Sequence, residues 1–331
     1  MNYPILLFNN RQLNNPDPNF YYVTNLDLDN SVCLIKNKTK IVLTSEMNKY
    51  RIEKINQQKQ INFFIYSMDR KKTIEFLKKH IANKKVGLDF GAISANVLKK
   101  LIKKYKVKPV DISKQLYKQR MKKNSDELKK IKKAVFFAKK ILQEIEDKIK
   151  PNLTELEIAR ILKMKALEND LQPSFEPIVA ADENTSNPHH LSTNKKIKKI
   201  ILIDFGIKYK YYCSDLTRCF FLVNDKEMLE KYQQAKEICF ESIKLLKASK
   251  KISTYVNEVR ELLKEYKWGK MIHAYGHGIG LEVHEMPSFS IKSRSKFLEN
   301  STVALEPGWY SKKFGIRYEE NVVISKNSKV L

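Results

Sequence analysis

The chain reads as an α/β (α+β) protein of two domains, and three features carry that reading. Strand-like runs alternate with amphipathic helical stretches over residues 1–118. A polar run then leads into a long, one-faced helix. Beyond it the order helix, helix, strands occurs twice, marking residues 119–331 as a second domain with a weak internal repeat.

In the first domain FYYVTN (20–25), SVCLIKN (31–37), TKIVLTS (39–45), INFFIYSM (61–68) and VGLDF (86–90) are β-rich runs bounded by Asn, Asp and Lys. Helical spacing covers 45–57, KKTIEFLKKHIANK (71–84) and 94–105. This alternation implies a partly parallel sheet. The polar run KPVDISKQLYKQRMKKNSDE holds the boundary, near 110–124. A helix then starts around Ser125. Leu128, Ile131, Ala134, Val135, Ala138, Ile141, Ile145 and Ile149 recur at three- and four-residue intervals until Pro151 stops it. Thr154 with Glu157 has the capping-box pattern that opens a second helix, to about Asn169. PSFEPIVAAD (173–182) is a strand, and KIILIDFGIKYKYYCSDLTRCFFLV (199–223) is a hairpin with its turn at Lys208–Tyr211. Helices at 225–248 and 254–265 follow, then the strands TVALEPGWY (302–310) and IRYEENVVIS (316–325).

Composition narrows the function classes. With 42% hydrophobic and 10% aromatic residues, the 331-residue chain is globular. The formal net charge of +26 comes from dispersed lysines. No stretch interleaves basic and aromatic residues, and there is no basic-region helix or Cys/His finger, so specific nucleic-acid binding is not expected. No apolar run reaches the ~18 residues of a membrane span, and MNYPILLFNN lacks the marks of a secretory signal. A cytoplasmic location without membrane attachment is the expectation. The four cysteines form no CxxC pair and are read as reduced, structural thiols.

The chemistry concentrates in HAYGHGIGLEVHEMP (273–287), which holds three of the six histidines and three of the nine glycines. Asp204 lies in the apolar arm ILIDFG, where a lone carboxylate would be costly to desolvate. Pairing Ile207 with Tyr212 places Asp215 of the return arm directly opposite it. Carboxylates that close repel unless cations lie between them, and a two-metal site suits such a pair. The competing reading is a protonated or Arg-paired dyad, with Arg218 as partner. Glu306 and Glu319 repeat the pattern, acids inside apolar strands, with Glu320 as the alternative to Glu319. Four carboxylates with one imidazole, His277, suit Mn²⁺ or Co²⁺, with Zn²⁺ also admitted. Gly206, Gly276, Gly278, Gly280, Gly308 and Gly315 all lie within four residues of these acids or of His277, as close backbone approach and unusual dihedrals would require.

The motifs IDFG, SDLTR, GHGIGLEVHE, EPGWY and IRYEEN carry Asp204, Asp215, His277, Glu306 and Glu319 in that order. They resemble the ligand motifs of the dinuclear metallopeptidases with the pita-bread fold. LEVHEMP and NPHH further resemble the Xaa-Pro branch, which includes prolidase and aminopeptidase P. The likeness runs from about residue 120 to 325. More loosely, the first domain resembles the creatinase-like α/β domain of that branch. The resemblance implies that Asp204 chelates one metal, that Asp215 and Glu319 bridge two, and that His277 and Glu306 complete the shell. It favours Glu319 over Glu320. A hydroxide bridging the two metals would attack the Xaa-Pro bond, with Glu306 moving the proton. His189, taken in preference to His190, and His284 would hydrogen-bond the scissile carbonyl and oxyanion. His273 would shape the pocket, and Arg317 would orient a ligand carboxylate. A proline-containing peptide is the implied substrate and a homodimer the implied assembly. One departure concerns substrate length: Ser288 follows HEMP where prolidase-like members often have Arg, with Lys292 or Arg294 as substitutes. Methionine aminopeptidase, which uses the same five ligands, and a non-catalytic binding protein of this fold are the rival readings.

Overall fold

The computed structural model describes residues 3–56, 62–65, 70–269 and 271–331. Within them two compact units, Met1–Gln119 and Arg120–Leu331, divide the chain.

In the first unit six strands form one mixed sheet: β1 (Ile5–Asn9), β2 (Ser31–Lys36), β3 (Thr39–Thr44), β4 (Asn62–Ile65), β5 (Lys85–Leu88) and β6 (Lys108–Asp111). Their order is β4-β3-β2-β1-β5-β6. The pairs β3–β4, β1–β5 and β5–β6 are parallel, and β1–β2 and β2–β3 antiparallel. Alternation along the strands separates two apolar layers. Leu6, Leu34 and Leu43 face one side, with Ile81, Leu101 and Tyr105 of α3 (Arg70–Ile81) and α4 (Ala95–Tyr105). Leu7, Cys33 and Val42 face the other, with Phe20, Ile52 and Leu116 of α1 (Pro18–Thr24), α2 (Lys49–Asn56) and α5 (Ser113–Met121). Of INFFIYSM, residues 61 and 66–68 lie outside the described residues.

Two expectations are corrected here. FYYVTN is helical: Asp17 caps α1, its Oδ1 accepting from the backbone N–H of Asn19 (3.0 Å) and Phe20 (2.9 Å), with Pro18 in the first turn. That start signal overrides the β-propensity of Phe, Tyr and Val. The polar run at the boundary contains β6 and α5, and β1, an unassigned apolar patch in the sequence, is an interior strand.

The second unit opens with α6 (Ser125–Glu146) and α7 (Glu155–Glu168), each started by a capping box, Asn124 with Glu127 and Thr154 with Glu157. A short β7 (Gln172–Pro173) precedes β8 (Ile178–Ala181), β9 (Ile200–Phe205), β10 (Ile207–Tyr209), β11 (Tyr212–Cys213) and β12 (Leu216–Phe221). β12-β9-β8 is an antiparallel sheet packed on α6 and α7 through Ile141, Ile158, Leu162, Ile201 and Ile203. The pattern then recurs. α8 (Lys226–Leu245) and α9 (Ile252–Glu265) pack on a sheet ordered β14-β13-β15-β18-β19, through residues such as Ile238, Val259, Val303 and Val322. Its strands are β13 (Gly276–Gly278), β14 (Glu285–Ser288), β15 (Thr302–Leu305), β18 (Glu320–Val323) and β19 (Lys329–Val330). Between them β16 (Gly308–Tyr310) and β17 (Gly315–Arg317) make a two-stranded ribbon.

The hairpin register differs from the expected one. Lys210 and Tyr211 both have positive φ, forming a two-residue turn, so Tyr209 pairs with Tyr212. Asp204 therefore faces Thr217, not Asp215, and Asp215 is displaced two residues along the strand. A shift of two preserves the face, so both acids still project to the same side.

Candidate metal centre

Each acid arrives on a different element of the second unit: Asp204 on β9, Asp215 just before β12, Glu306 after β15 and Glu319 just before β18. One oxygen each of Asp204, Asp215 and Glu319 lies within 4.8 Å of the others. Asp215 and Glu319 are 4% and 1% exposed, so their repulsion is poorly screened. Burial, then the charges of Asp204 and Glu306, raises Asp215 well above the usual carboxylate range. Burial and Asp215 do the same to Glu319. His277 on β13 places Nε2 at 3.5 Å from Asp215 Oδ2 and 3.8 Å from Glu306 Oε1. The five side chains named as candidate ligands thus converge on one place.

Asp204 Oδ1, Asp215 Oδ1 and Glu319 Oε1 are buried and accept no hydrogen bond. Such oxygens are expensive to leave unmatched, and three of them converging fit a hard or borderline cation as the missing partner. Glu320 belongs elsewhere. Its side chain pairs with Arg218 and with Lys139 Nζ (3.0 Å), and accepts from the Tyr318 hydroxyl (3.0 Å). Arg218 is therefore not the partner of an aspartate dyad.

Arg317 organises the surroundings. Its Nη2 donates to Asp204 Oδ2 (2.6 Å), Nε to Thr217 Oγ1 (2.9 Å), and Nη1 to the Tyr310 hydroxyl (3.0 Å) and the Pro188 carbonyl (3.4 Å). Thr217 passes the order on, donating to Glu319 Oε2 at 2.7 Å. Asn321 grips the backbone of Asp215 from both sides, accepting from its N–H (3.0 Å) and donating to its carbonyl (2.6 Å). Sequence reasoning missed Thr217, Tyr310 and Asn321. A period-two step from Asp215 and from Glu319 would have found the first and last.

The remaining histidines divide by environment. His284 sits edge-on to His277 with ring centroids 4.2 Å apart; burial and then that neighbour lower its pKa, so it is neutral at pH 7. His273 contacts Tyr310 OH through Nε2 (3.0 Å) and approaches Glu306 Oε2 through Nδ1 (3.5 Å). His189 is exposed in the segment that follows the 3-10 turn Asp182–Ser186, close enough to His273 and His284 to influence both electrostatically. His190 instead bonds buried Glu155 at 2.8 Å, one of five donors that carboxylate accepts. All four cysteines are buried and unpaired; burial pushes Cys213 and Cys219 up to about 12, away from nucleophilic use.

The glycines serve by close approach. A Cβ on Gly206 would lie 1.9 Å from the Ser214 carbonyl oxygen, and one on Gly278 would lie 2.3 Å from the Met286 backbone. The unusual dihedrals expected of them are not found, since no glycine has positive φ among the described residues.

Next to His284, the Glu285 side chain is only 6% exposed yet ionised. Burial would raise its pKa, but Lys123 and Arg120 outweigh this and hold it below the usual 4.5. Its pairing energy is then present above pH 4.5 and lost as the pH falls through the depressed pKa. Thermal melts of the wild type and of Glu285→Gln should differ at neutral pH and converge as the pH drops below 4.5.

Among the described residues no helix is long and apolar enough to cross a membrane. The model for metallopeptidase family M24 matches residues 129–326, and that for the creatinase/prolidase N-terminal domain matches residues 5–122. An uncharacterized peptidase of Methanocaldococcus jannaschii is 39% identical over 247 residues, 71% of this chain and 69% of that protein. The Xaa-Pro dipeptidase of Pyrococcus horikoshii is 29% identical over 94% of this chain and 89% of its own length. The crystal structure of an X-Pro aminopeptidase from Thermotoga maritima superposes with a TM-score of 0.89 at 27% identity, covering 99% of this chain and 94% of that one. With the family matched over more than half its length and its acids and imidazole gathered as described, this chain belongs to metallopeptidase family M24 and is a metal-dependent peptidase with a creatinase/prolidase-type first domain and a pita-bread second domain.

Proposed function

We propose that the protein hydrolyses the bond preceding proline in dipeptides or short peptides, using two divalent cations held by Asp204, Asp215, His277, Glu306 and Glu319. The observation that carries the metal centre is the convergence of three buried carboxylate oxygens that accept no hydrogen bond. Charge balance favours a pair. Four carboxylates around one guanidinium leave three negative charges, which one divalent ion cannot neutralise. The preference for proline rests on the relatives named Xaa-Pro dipeptidase and X-Pro aminopeptidase. Mn²⁺ or Co²⁺ suits this oxygen-rich set, with Zn²⁺ also admitted. A homodimer, as the resemblance implies, and a cytoplasmic location complete the reading.

When bound, the cations would lower the pKa of a water nucleophile and polarise the scissile carbonyl. This chain's residues supply the rest. Glu306, partly exposed beside His277, takes up a proton at its carboxylate and returns it to the departing proline nitrogen. Neutral His284 and the loop histidine His189 donate hydrogen bonds to the carbonyl oxygen as it gains charge. Arg317 holds Asp204 and, through Thr217, Glu319 in fixed orientation. His273 borders a cavity of about 840 Å³, lined also by Val259, Leu263, Trp268, Tyr275 and Phe289, that offers apolar surface to a peptide side chain.

Chelator-treated protein should fail to cleave an Xaa-Pro dipeptide, a longer Xaa-Pro peptide and a Met-Ala peptide, and Mn²⁺ or Co²⁺ should restore cleavage of the Xaa-Pro substrates. Cleavage of Met-Ala alone would make it a methionine aminopeptidase. No cleavage of any peptide by the loaded protein would leave a binding module. The ratio of dipeptide to longer-peptide rates reads the consequence of Ser288, exposed on β14.

A further inference from the structure

We propose that the buried cluster Arg120–Glu285–Lys123 is a positioning clamp for His284, an inference that rests on the role assigned above to that imidazole. Glu285 is the first residue of β14 and His284 immediately precedes it, so the backbone that carries the imidazole is the one that the Glu285 side chain anchors. Glu285 Oε1 accepts from Lys123 Nζ at 2.6 Å and Oε2 from Arg120 Nη2 at 2.5 Å. The three side chains are only 6%, 1% and 3% exposed. Lys123 spends its other donors on the carbonyls of Arg120 (2.8 Å) and Met121 (3.3 Å), so all three ammonium hydrogens are matched. Arg120 Nη2 also reaches Glu282 at 2.8 Å.

The far side of Glu285 is closed by Gly280, where a Cβ would lie 2.5 Å from Oε1. Gly280 in turn accepts from the backbone N–H of Cys213 (2.7 Å), two residues before Asp215. The carboxylate is thus wedged between the Lys123 and Arg120 side chains and the backbone at Gly280, just beyond β13. His284 has the opposite situation: its imidazole makes no hydrogen bond among the described residues, lies edge-on to His277 and brings a ring nitrogen within 4.8 Å of an Asp215 oxygen without bonding to it. Its position therefore depends on the backbone that Glu285 anchors. Stability alone does not call for this arrangement, since a well-packed apolar trio commonly does as well as buried charges. What directional charge pairs add is one fixed geometry.

The test is a double-mutant cycle on the metal-loaded, full-length protein, reading kcat, KM and bound metal with an Xaa-Pro dipeptide. Glu285→Gln is expected to lower kcat about tenfold or more, as small misplacements of catalytic groups do, with KM and metal content little changed. In a His284→Ala background the same substitution should cost nothing further. An equal loss in both backgrounds overturns the clamp. If His284→Ala leaves kcat intact, the role of His284 fails and the clamp fails with it, a result distinct from the first. Should Glu285→Gln not fold, Arg120→Lys, which keeps the charge but loses the planar fork, runs through the same cycle with the same two outcomes.

Discussion

Glu319→Gln is expected to abolish hydrolysis and empty the metal centre while leaving the metal-free fold at least as stable as the wild type. Without cations, Glu319 is 1% exposed beside Asp215 and Asp204, and burial and that repulsion raise its pKa well above the usual range. An amide of the same shape relieves the repulsion and can still accept from the Thr217 hydroxyl, 2.7 Å away. The loaded protein, in contrast, loses a ligand with an otherwise unmatched oxygen. Activity should fall by more than the ~100-fold typical of outer-shell changes. Asp215→Asn should behave alike. Metal analysis, peptide hydrolysis and melts with and without chelator check this together. A metal-replete, active Glu319→Gln protein would remove the proposed centre.

The neighbouring substitution should do the reverse. Glu320→Gln is expected to cost roughly 3 kcal/mol of stability, the lower end for breaking a buried ion pair, while metal content and activity persist. Glu320 is 3% exposed and pairs with Arg218, which itself stacks on the Tyr318 ring (4.3 Å) and donates to the Glu319 carbonyl (2.7 Å). Removing the carboxylate leaves that guanidinium, and Lys139, without their anion. Chemical denaturation compared with metal content separates the two phenotypes. Loss of metal without loss of stability in Glu320→Gln would mean that the two glutamates have exchanged roles.

The contrast between two adjacent acids shows where sequence reading stops. Strand alternation says that only one of Glu319 and Glu320 can face the site, but not which. The choice belongs to Arg218 and Lys139, which lie about 100 and 180 positions away and capture Glu320. The aspartates show the same limit in milder form. Asp204 and Asp215 are marked by the cost of a carboxylate in an apolar strand, and the shared face is legible from the period of two. The register is not, because it depends on the positive φ of Lys210 and Tyr211. At residues 17–25 the error ran the other way: the Asp17–Pro18 start signal was present in the sequence and outweighed the aromatic run.

By itself the sequence determined the two-domain α/β (α+β) architecture, the capped helices of the second unit and the set of acids and histidines from which a metal centre could be made. These are local properties, set by periodicity, capping chemistry and the desolvation cost of single charges. Tertiary structure alone decided that Asp204 faces Thr217, that Arg317, Thr217 and Asn321 orient the acids, and that Arg120 and Lys123 grip Glu285. Each of those is a contact between groups distant along the chain, formed only when sheets and helices have packed, and no local preference encodes which buried charge meets which.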